Sequence, residues 1–350
     1  MIEPKEHKVR LSRRSLLKGA AGSLVGTKLA ESFPVPSPER VGSWECDLRN
    51  LKWDQLEITP SGVTRTWLGS SFWANRLQDW QLHEGRFECL TGESGSDIRT
   101  IAILTRDILA GAKPGYIQVQ AGLVEDQGGG GFCGFLIGAG AGKLDYRAAA
   151  LVQKASGIGG GILCTYETDG QARFRDHTSE EAPLDFTELP SQPQKDVGWK
   201  LEGREGVRLV LEIAPKSDKI FRLTLSVWDL INGHCIACTR RNNVAEEDIL
   251  GGIALVSSPA RRVAGARFWF RDVLTGGEKI AKHPERALGP ILGTMYSLNG
   301  ESLKLSAQFV PIGQSEPQQA KLQYRAPGGS WKDGSVVTLE PGFTAQFRLG

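Results

Sequence analysis

Alternation of apolar and polar positions is the dominant pattern along this chain. Arg99–Thr105, Tyr116–Val124, Val207–Ala214, Ile220–Trp228 and Ala266–Val273 are apolar or alternating runs of strand length. Turn-forming residues bound them: Lys113-Pro114-Gly115, Thr168-Asp169-Gly170, Ile231-Asn232-Gly233 and Thr275-Gly276-Gly277. A period of two with frequent turns predicts an antiparallel β-sandwich rather than helices. No long helical period follows residue 40; Ala245–Leu250 predicts one short helical turn. The glycine clusters Gly128–Gly131 and Gly157–Gly161 predict loops or tightly bent strands, because apolar strand residues flank them.

A second group of strand patterns follows: Leu303–Val310, Ala320–Arg325, Ser335–Leu339 and Thr344–Leu349. They match the first half of an immunoglobulin- or fibronectin-like sandwich, which needs about seven strands to close. The expected fold class is therefore all-β. An antiparallel sandwich precedes an incomplete immunoglobulin/fibronectin-like one. The expected organisation is a signal segment over 1–31, a Pro-rich linker over 32–40, the first sandwich over 41–275, a linker over 276–287, and a partial second domain over 288–350. A half-sandwich exposes an apolar face and an unpaired edge. On this reading the 350 residues are the front part of a longer protein.

Charge sharpens the picture at the N-terminus. The formal net charge is +2, but residues 1–30 hold seven basic and two acidic side chains. The remainder carries 35 basic and 38 acidic residues, which is no footprint for nucleic acid. Within the basic segment, Ser12-Arg13-Arg14-Ser15-Leu16-Leu17-Lys18 resembles the twin-arginine export signal, Ser/Thr-Arg-Arg-x-Phe-Leu-Lys, with Leu16 in place of Phe. Ser12, Arg13, Arg14, Leu17 and Lys18 carry that resemblance, and a weakly apolar Gly19–Gly26 stretch follows. It implies the twin-arginine translocase as a partner and a periplasmic or extracellular location. The signal lacks a clean Ala-x-Ala cleavage site, so tethering by an uncleaved signal is the alternative. No apolar run reaches the roughly 18–20 residues that span a bilayer.

The motifs that carry chemistry are weak. Gly138-Ala-Gly-Ala-Gly-Lys143 fails as a phosphate loop, because Ile137 and Leu144 stand where Gly and Ser/Thr are needed. Cys235-Ile-Ala-Cys238 follows an Asn-Gly turn on a strand pattern, where residues three apart point to opposite faces. One buried and one exposed thiol is expected there, rather than a metal or redox pair. Six cysteines allow disulfides without fixing any pairing, and several read as buried thiols. The five histidines are scattered and form no metal motif. No Gly-x-Ser-x-Gly elbow is present.

The most distinctive stretch is Trp67–Trp80, with three Trp and one Phe beside Asn75, Arg76 and Asp79. Trp73, Trp80 and Asp79 could hold a sugar ring; equally, the aromatics could plug the core while Asp79 and Arg76 satisfy loop backbone. Asp145 and Arg147 carry the same ambiguity, with a structural ion pair as the alternative. For sugar hydrolysis the candidate acids and bases are Asp79, Glu88, Asp145, Asp176 and His177.

Trp73–Trp80, Gly85–Cys89, Ile103–Arg106, Asp145–Leu151, Phe268–Asp272 and His283–Leu292 resemble the N-terminal region of exported alkaline phosphatase D-like proteins. The resemblance covers residues 67 to about 325. It implies a concanavalin-like (laminin G-like) sandwich, then a fibronectin-like domain, then a calcineurin-like metallophosphatase domain that hydrolyses phosphate esters. It implies no catalytic residue and no cofactor in these 350 residues. A divalent, iron or calcium metal belongs to the downstream domain. The implied partners are that C-terminal catalytic domain and a glycan or phosphorylated polymer. The competing readings are a stand-alone carbohydrate-binding module and a sandwich-type hydrolase of modified disaccharides.

Overall fold

A computed structural model describes residues 7–11, 51–57, 60–140, 156–196, 205–259 and 263–349. The export heptad, the Pro-rich segment, Cys46, Asp145 and Arg147 lie outside the described residues. In chain order the strands begin with β1 (His7–Leu11), β2 (Trp53–Gln55), β3 (Phe72–Asn75), β4 (Trp80–His83), β5 (Arg86–Cys89) and β6 (Arg99–Ile108). Next come β7 (Gly115–Asp126), β8 (Gly131–Gly140), β9 (Ile162–Glu167), β10 (Ala172–Asp176), β11 (Gln192–Asp196) and β12 (Val207–Ser217). The large unit closes with β13 (Ile220–Asp229), β14 (Cys235–Ala245), β15 (Gly251–Pro259), β16 (Ala266–Gly276) and β17 (Ile280–Lys282). A smaller unit holds β18 (Ile291–Asn299), β19 (Ser302–Phe309), β20 (Gln319–Tyr324), β21 (Lys332–Thr338) and β22 (Thr344–Leu349).

The large unit is a two-sheet antiparallel sandwich, so the chain is all-β as the alternation predicts. One sheet has seven strands, in the order β10-β9-β8-β15-β6-β17 with β3 also on β6. The other has nine, in the order β11-β14-β13-β12-β7-β16-β5-β4 with β2 also on β16. Hairpins join β8-β9-β10 and β12-β13-β14, while neighbours such as β8 with β15 and β7 with β16 are distant in sequence, so crossovers and hairpins together build the sandwich. The predicted turn over 245–250 is a 3-10 turn at Glu246–Asp248.

Sequence explains which face each strand buries. On β7, Ile117, Val119 and Ala121 are fully buried in the shared core while Gln118 and Gln120 point outward. On β12, Val207, Leu209, Leu211 and Ile213 face in, and Arg208 and Glu212 face out. Each large apolar side chain so buried contributes roughly 1.5–3 kcal/mol. β8 and β15 instead read as continuous apolar runs, and both of their faces are buried. Their outward residues join Leu163 and Phe186 in a second cluster: Phe132, Leu136, Ala254 and Val256.

The boundary differs from the sequence reading. Residues 276–287 read as a linker, yet Ile280–Lys282 is paired with Lys282↔Arg106 through Ile280↔Ile108 on β6. Lys279 is buried, donating to Glu246 Oε1 at 2.6 Å and Gly111 O at 2.8 Å beneath the Phe221 ring. Three residues are too short for the alternation to register as a strand, and a lysine reads as surface.

The smaller unit packs Leu305, Ala307, Phe309, Ala320, Leu322, Ala345 and Phe347 into its own core. Among the described residues β18 pairs only with β19, and Leu292, Met295, Tyr296 and Leu298 on it are exposed. Trp67 joins the units by packing with Val310 and Ile312. Arg65 lies over the Trp67 ring at 4.4 Å and pairs with Glu316, and Ser315 donates to Gly62 O. One of the three tryptophans of the distinctive stretch is thus an inter-unit anchor.

Candidate functional site

The remaining residues of that stretch separate. Trp80 is fully buried, tilted against Phe270 with centroids 6.2 Å apart, and its Nε1 donates to Asn75 O. It offers no ring face to a ligand. Asp79 is buried in a 3-10 turn and accepts from Arg99 Nε at 2.5 Å. Its partner is therefore a guanidinium brought in by β6, where loop backbone was expected. Of the three tryptophans Trp73 alone is exposed, at 38 %.

Among the described residues the candidate acids and bases do not converge. Glu88 faces outward on β5 and accepts from Gln81 Nε2 at 2.9 Å. Asp176 ends β10 and accepts from Thr178 through both its backbone N–H and its hydroxyl. His177 is buried, stacked on Phe186 with centroids 5.6 Å apart, its Nδ1 3.0 Å from Gly160 O. Burial pushes its pKa below the ordinary imidazole value. Asp79, Glu88 and the Asp176–His177 pair thus occupy three different places, which gives no acid–base pair across one substrate.

The Cys-x-x-Cys reading needs correction. Cys235 pairs with Trp228 and Cys238 with Ser226, with a register shift between Val227 and Trp228. The extra residue changes parity, so both cysteines fall on the outer side of the nine-stranded sheet. Cys238 is buried and Cys235 half-buried, and both are free thiols. Burial, and next the charge of a Cys235 thiolate, push Cys238 up to about 12. Cys89, Cys133 and Cys164 are buried free thiols, and burial pushes each pKa up. Among the described residues no cluster of His, Cys, Asp and Glu could hold a metal.

The outer face of the nine-stranded sheet gathers what no single sequence segment contains. Register aligns Arg271 with Gln120, Gln120 with Arg208, and Arg208 with Trp228. Trp269 pairs with Glu88 and Phe270 with Phe87, which leaves Arg86 at the start of β5, on the Arg271 side of that pairing. One cross-strand row over five adjacent strands therefore reads Arg86, Arg271, Gln120, Arg208, Trp228. Arg86 and Arg271 both lie over the Trp269 ring, at 4.4 and 5.5 Å from its centroid. The ring lies flat across the sheet because Gly122 and Gly206 leave room. A Cβ on Gly122 would come within 2.5 Å of the indole, and one on Gly206 within 2.8 Å.

Charges on this face are unevenly compensated. Arg271 donates to Gln120 Oε1 at 2.8 Å and lies 3.8 Å from Asp272. Arg222 reaches Glu212 at 3.5 Å. Burial, and next the positive charge of Arg222, push the pKa of Arg240 down. Arg208 is half-buried beside Trp228, 5.6 Å from the ring, and its Nε has no hydrogen-bond partner. Burial works against its charged form, yet a guanidinium stays protonated in proteins. Neutral hydrogen-bonding groups separate the charges: Gln118, Gln120, Thr224 and Ser226.

No family model and no curated protein matches this chain. Among solved structures, the metal-free carbohydrate recognition domain of Emp46p aligns at 14 % identity, covering 65 % of this chain and 99 % of that one, with a TM-score of 0.42. Lectin II from Ulex europaeus aligns at 8 % identity, over 65 % of this chain and 98 % of that one, with a TM-score of 0.42. Basic winged bean lectin with Tn-antigen aligns at 9 % identity, over 66 % of this chain and 99 % of that one, with a TM-score of 0.41.

Proposed function

We propose that the first sandwich is a carbohydrate-binding module whose ligand lies across the outer face of the nine-stranded sheet. The observation that carries this reading is the cross-strand row of arginine, glutamine and tryptophan, bordered by Gln118. Hydroxyl-rich ligands need many convergent donors and acceptors at modest burial, which a row of fixed amides and guanidiniums supplies. The scatter of Asp79, Glu88 and His177 supports binding without hydrolysis. The test is retention of the 350-residue chain in affinity gels cast with polysaccharides. Gln120→Ala with Arg208→Ala should abolish retention at an unchanged melting temperature. Failure to bind any polysaccharide overturns the reading.

The wider setting we propose comes from the sequence. The twin-arginine heptad supports export, and the resemblance to alkaline phosphatase D-like proteins supports a phosphate-ester hydrolase as the parent protein. The module then presents a glycan or phosphorylated polymer to a downstream metal-dependent domain. Reading the gene beyond codon 350 tests this: a metallophosphatase frame supports it, and a stop codon without one overturns it.

A further inference from the structure

We infer that the ligand of the nine-stranded face is an acidic glycan, its anionic groups lying over the row of Arg86, Arg271 and Arg208. This rests on the carbohydrate reading above and adds the chemical class of the ligand. Three features of the face lead to it.

Like charges directly opposite on adjacent strands destabilise a sheet. Arg86 and Arg271 are close to that relation on the adjacent strands β5 and β16, with their guanidiniums drawn together over one indole. Arg271 has one carboxylate partner, Asp272, and among the described residues no carboxylate pairs with Arg86. Glu88 accepts from Gln81, and Asp272 lies 3.8 Å from Arg271. Next, Arg208 is half-buried at the middle of the sheet, and among the described residues no carboxylate pairs with it. A partly desolvated cation without a counter-charge costs stability that an arriving anion returns. Finally, the aromatic rings here are covered: Trp269 is 3 % and Trp228 6 % exposed. The face therefore cannot recognise its ligand by stacking a sugar ring or a nucleobase on an open aromatic plane. It has charge-assisted hydrogen bonds to offer instead, in the planar geometry that suits carboxylate, sulfate and phosphate groups.

Spacing favours a polymer over a single ion. Arg271 and Arg208 are two strands apart, about 10 Å, with Gln120 between them. That suits anionic groups on alternate sugar units, with the intervening hydroxyls on Gln120 and Gln118. An acidic peptide or a nucleic acid would use the guanidiniums but leave these amides without matched partners.

Matched polymer pairs test the inference with the full chain at 0.15 M salt: polygalacturonate against its methyl ester, dextran sulfate against dextran, and a phosphorylated against a plain mannan. Poly-aspartate and single-stranded DNA are the polyanion comparisons. The expected result is at least tenfold tighter binding to one acidic polymer than to its neutral counterpart and to both polyanion comparisons. The pair that responds identifies the anionic group. Arg208→Gln and Arg271→Gln should each weaken that binding at least tenfold without lowering the melting temperature. Arg208→Lys should restore less than half of the lost affinity. Equal binding to neutral and acidic polymers, unaffected by the arginine substitutions, overturns the inference and leaves the carbohydrate reading standing. Equal binding to poly-aspartate or DNA overturns it in favour of a general polyanion surface. Binding to no polysaccharide removes both.

Discussion

The two outer faces of the large sandwich cover the same core and are built from strands of similar length, yet their central rows differ completely. On the seven-stranded sheet the row runs Trp73, Ala102, Ala254, Leu136, Leu163, Arg175. On the nine-stranded sheet it runs Arg86, Arg271, Gln120, Arg208, Trp228. The first row is small and apolar in its middle and is buried with Phe186 and Phe132. The second is cationic and hydrogen-bonding in its middle, over a flattened Trp269. Inward positions need only be apolar to make either sheet. Outward positions are where the faces part, one covered and apolar, the other cationic and the place of the ligand site we propose.

The largest test of this contrast is Leu136→Ala on the apolar row. Leu136 is fully buried in the cluster with Leu163, Phe186 and Val256. Truncation should cost about 2–5 kcal/mol in urea titrations. If the apolar face were instead an open ligand groove, the loss would fall well under 1 kcal/mol and the contrast would fail.

A smaller effect belongs to the arginine face. Gly122→Ala sets a Cβ within 2.5 Å of the Trp269 ring, which must lift off the sheet. Such overpacking typically costs about 1–3 kcal/mol. The lifted ring also carries Arg86 and Arg271 away from the row. We expect a changed near-ultraviolet circular dichroism signal and weakened glycan binding together. Weakened stability with unchanged binding would detach Trp269 from the site.

Acid should separate the faces in another way. His177 packs against Phe186, and burial pushes its pKa down. The unfolded chain then binds the proton more readily, so this contribution to stability is present above the ordinary imidazole value, about 6.5, and is lost as pH falls below it. Glu57 and Glu167 work in the opposite sense, because burial pushes their pKa values up. The comparison is therefore between wild type and His177→Gln, measured at a series of pH values. The wild type should lose more stability between pH 6.5 and 5 than the variant. Parallel curves would show that His177 is not buried neutral.

These tests also show what the sequence displayed and what it hid. The inward residues of β7, β12, β13 and β16 were legible because each strand alternates by itself, and the strand bounds follow the alternation closely. The arginine row was not legible. Its members lie at positions 86, 120, 208, 228 and 271, and only cross-strand register brings them together. The one signal present was an arginine at an outward position of Val207–Ala214 and of Ala266–Val273. The side of Cys235 was hidden for a related reason, since one bulge residue reverses parity without marking the sequence. Burial of Trp80 beside exposed Trp73 was an open choice, because both residues suit either role until the partner sheet is known.

The smallest expected effect, and the one that would most change the contrast, is Trp73→Ala. Trp73 stands at the edge of the apolar row, opposite Ala102, with 38 % of its surface exposed. An edge residue with that exposure should lose about 1 kcal/mol or less, far below the cost of emptying a core position. Its ring is the open aromatic plane that the arginine face lacks, and stacking on it would suit a neutral sugar. If Trp73→Ala leaves polysaccharide binding intact, the nine-stranded face alone holds the ligand. If it abolishes binding of a neutral polymer while Arg208→Gln does not, the working surface is the seven-stranded sheet. The arginine row would then be a costly feature of the fold without a ligand to relieve it.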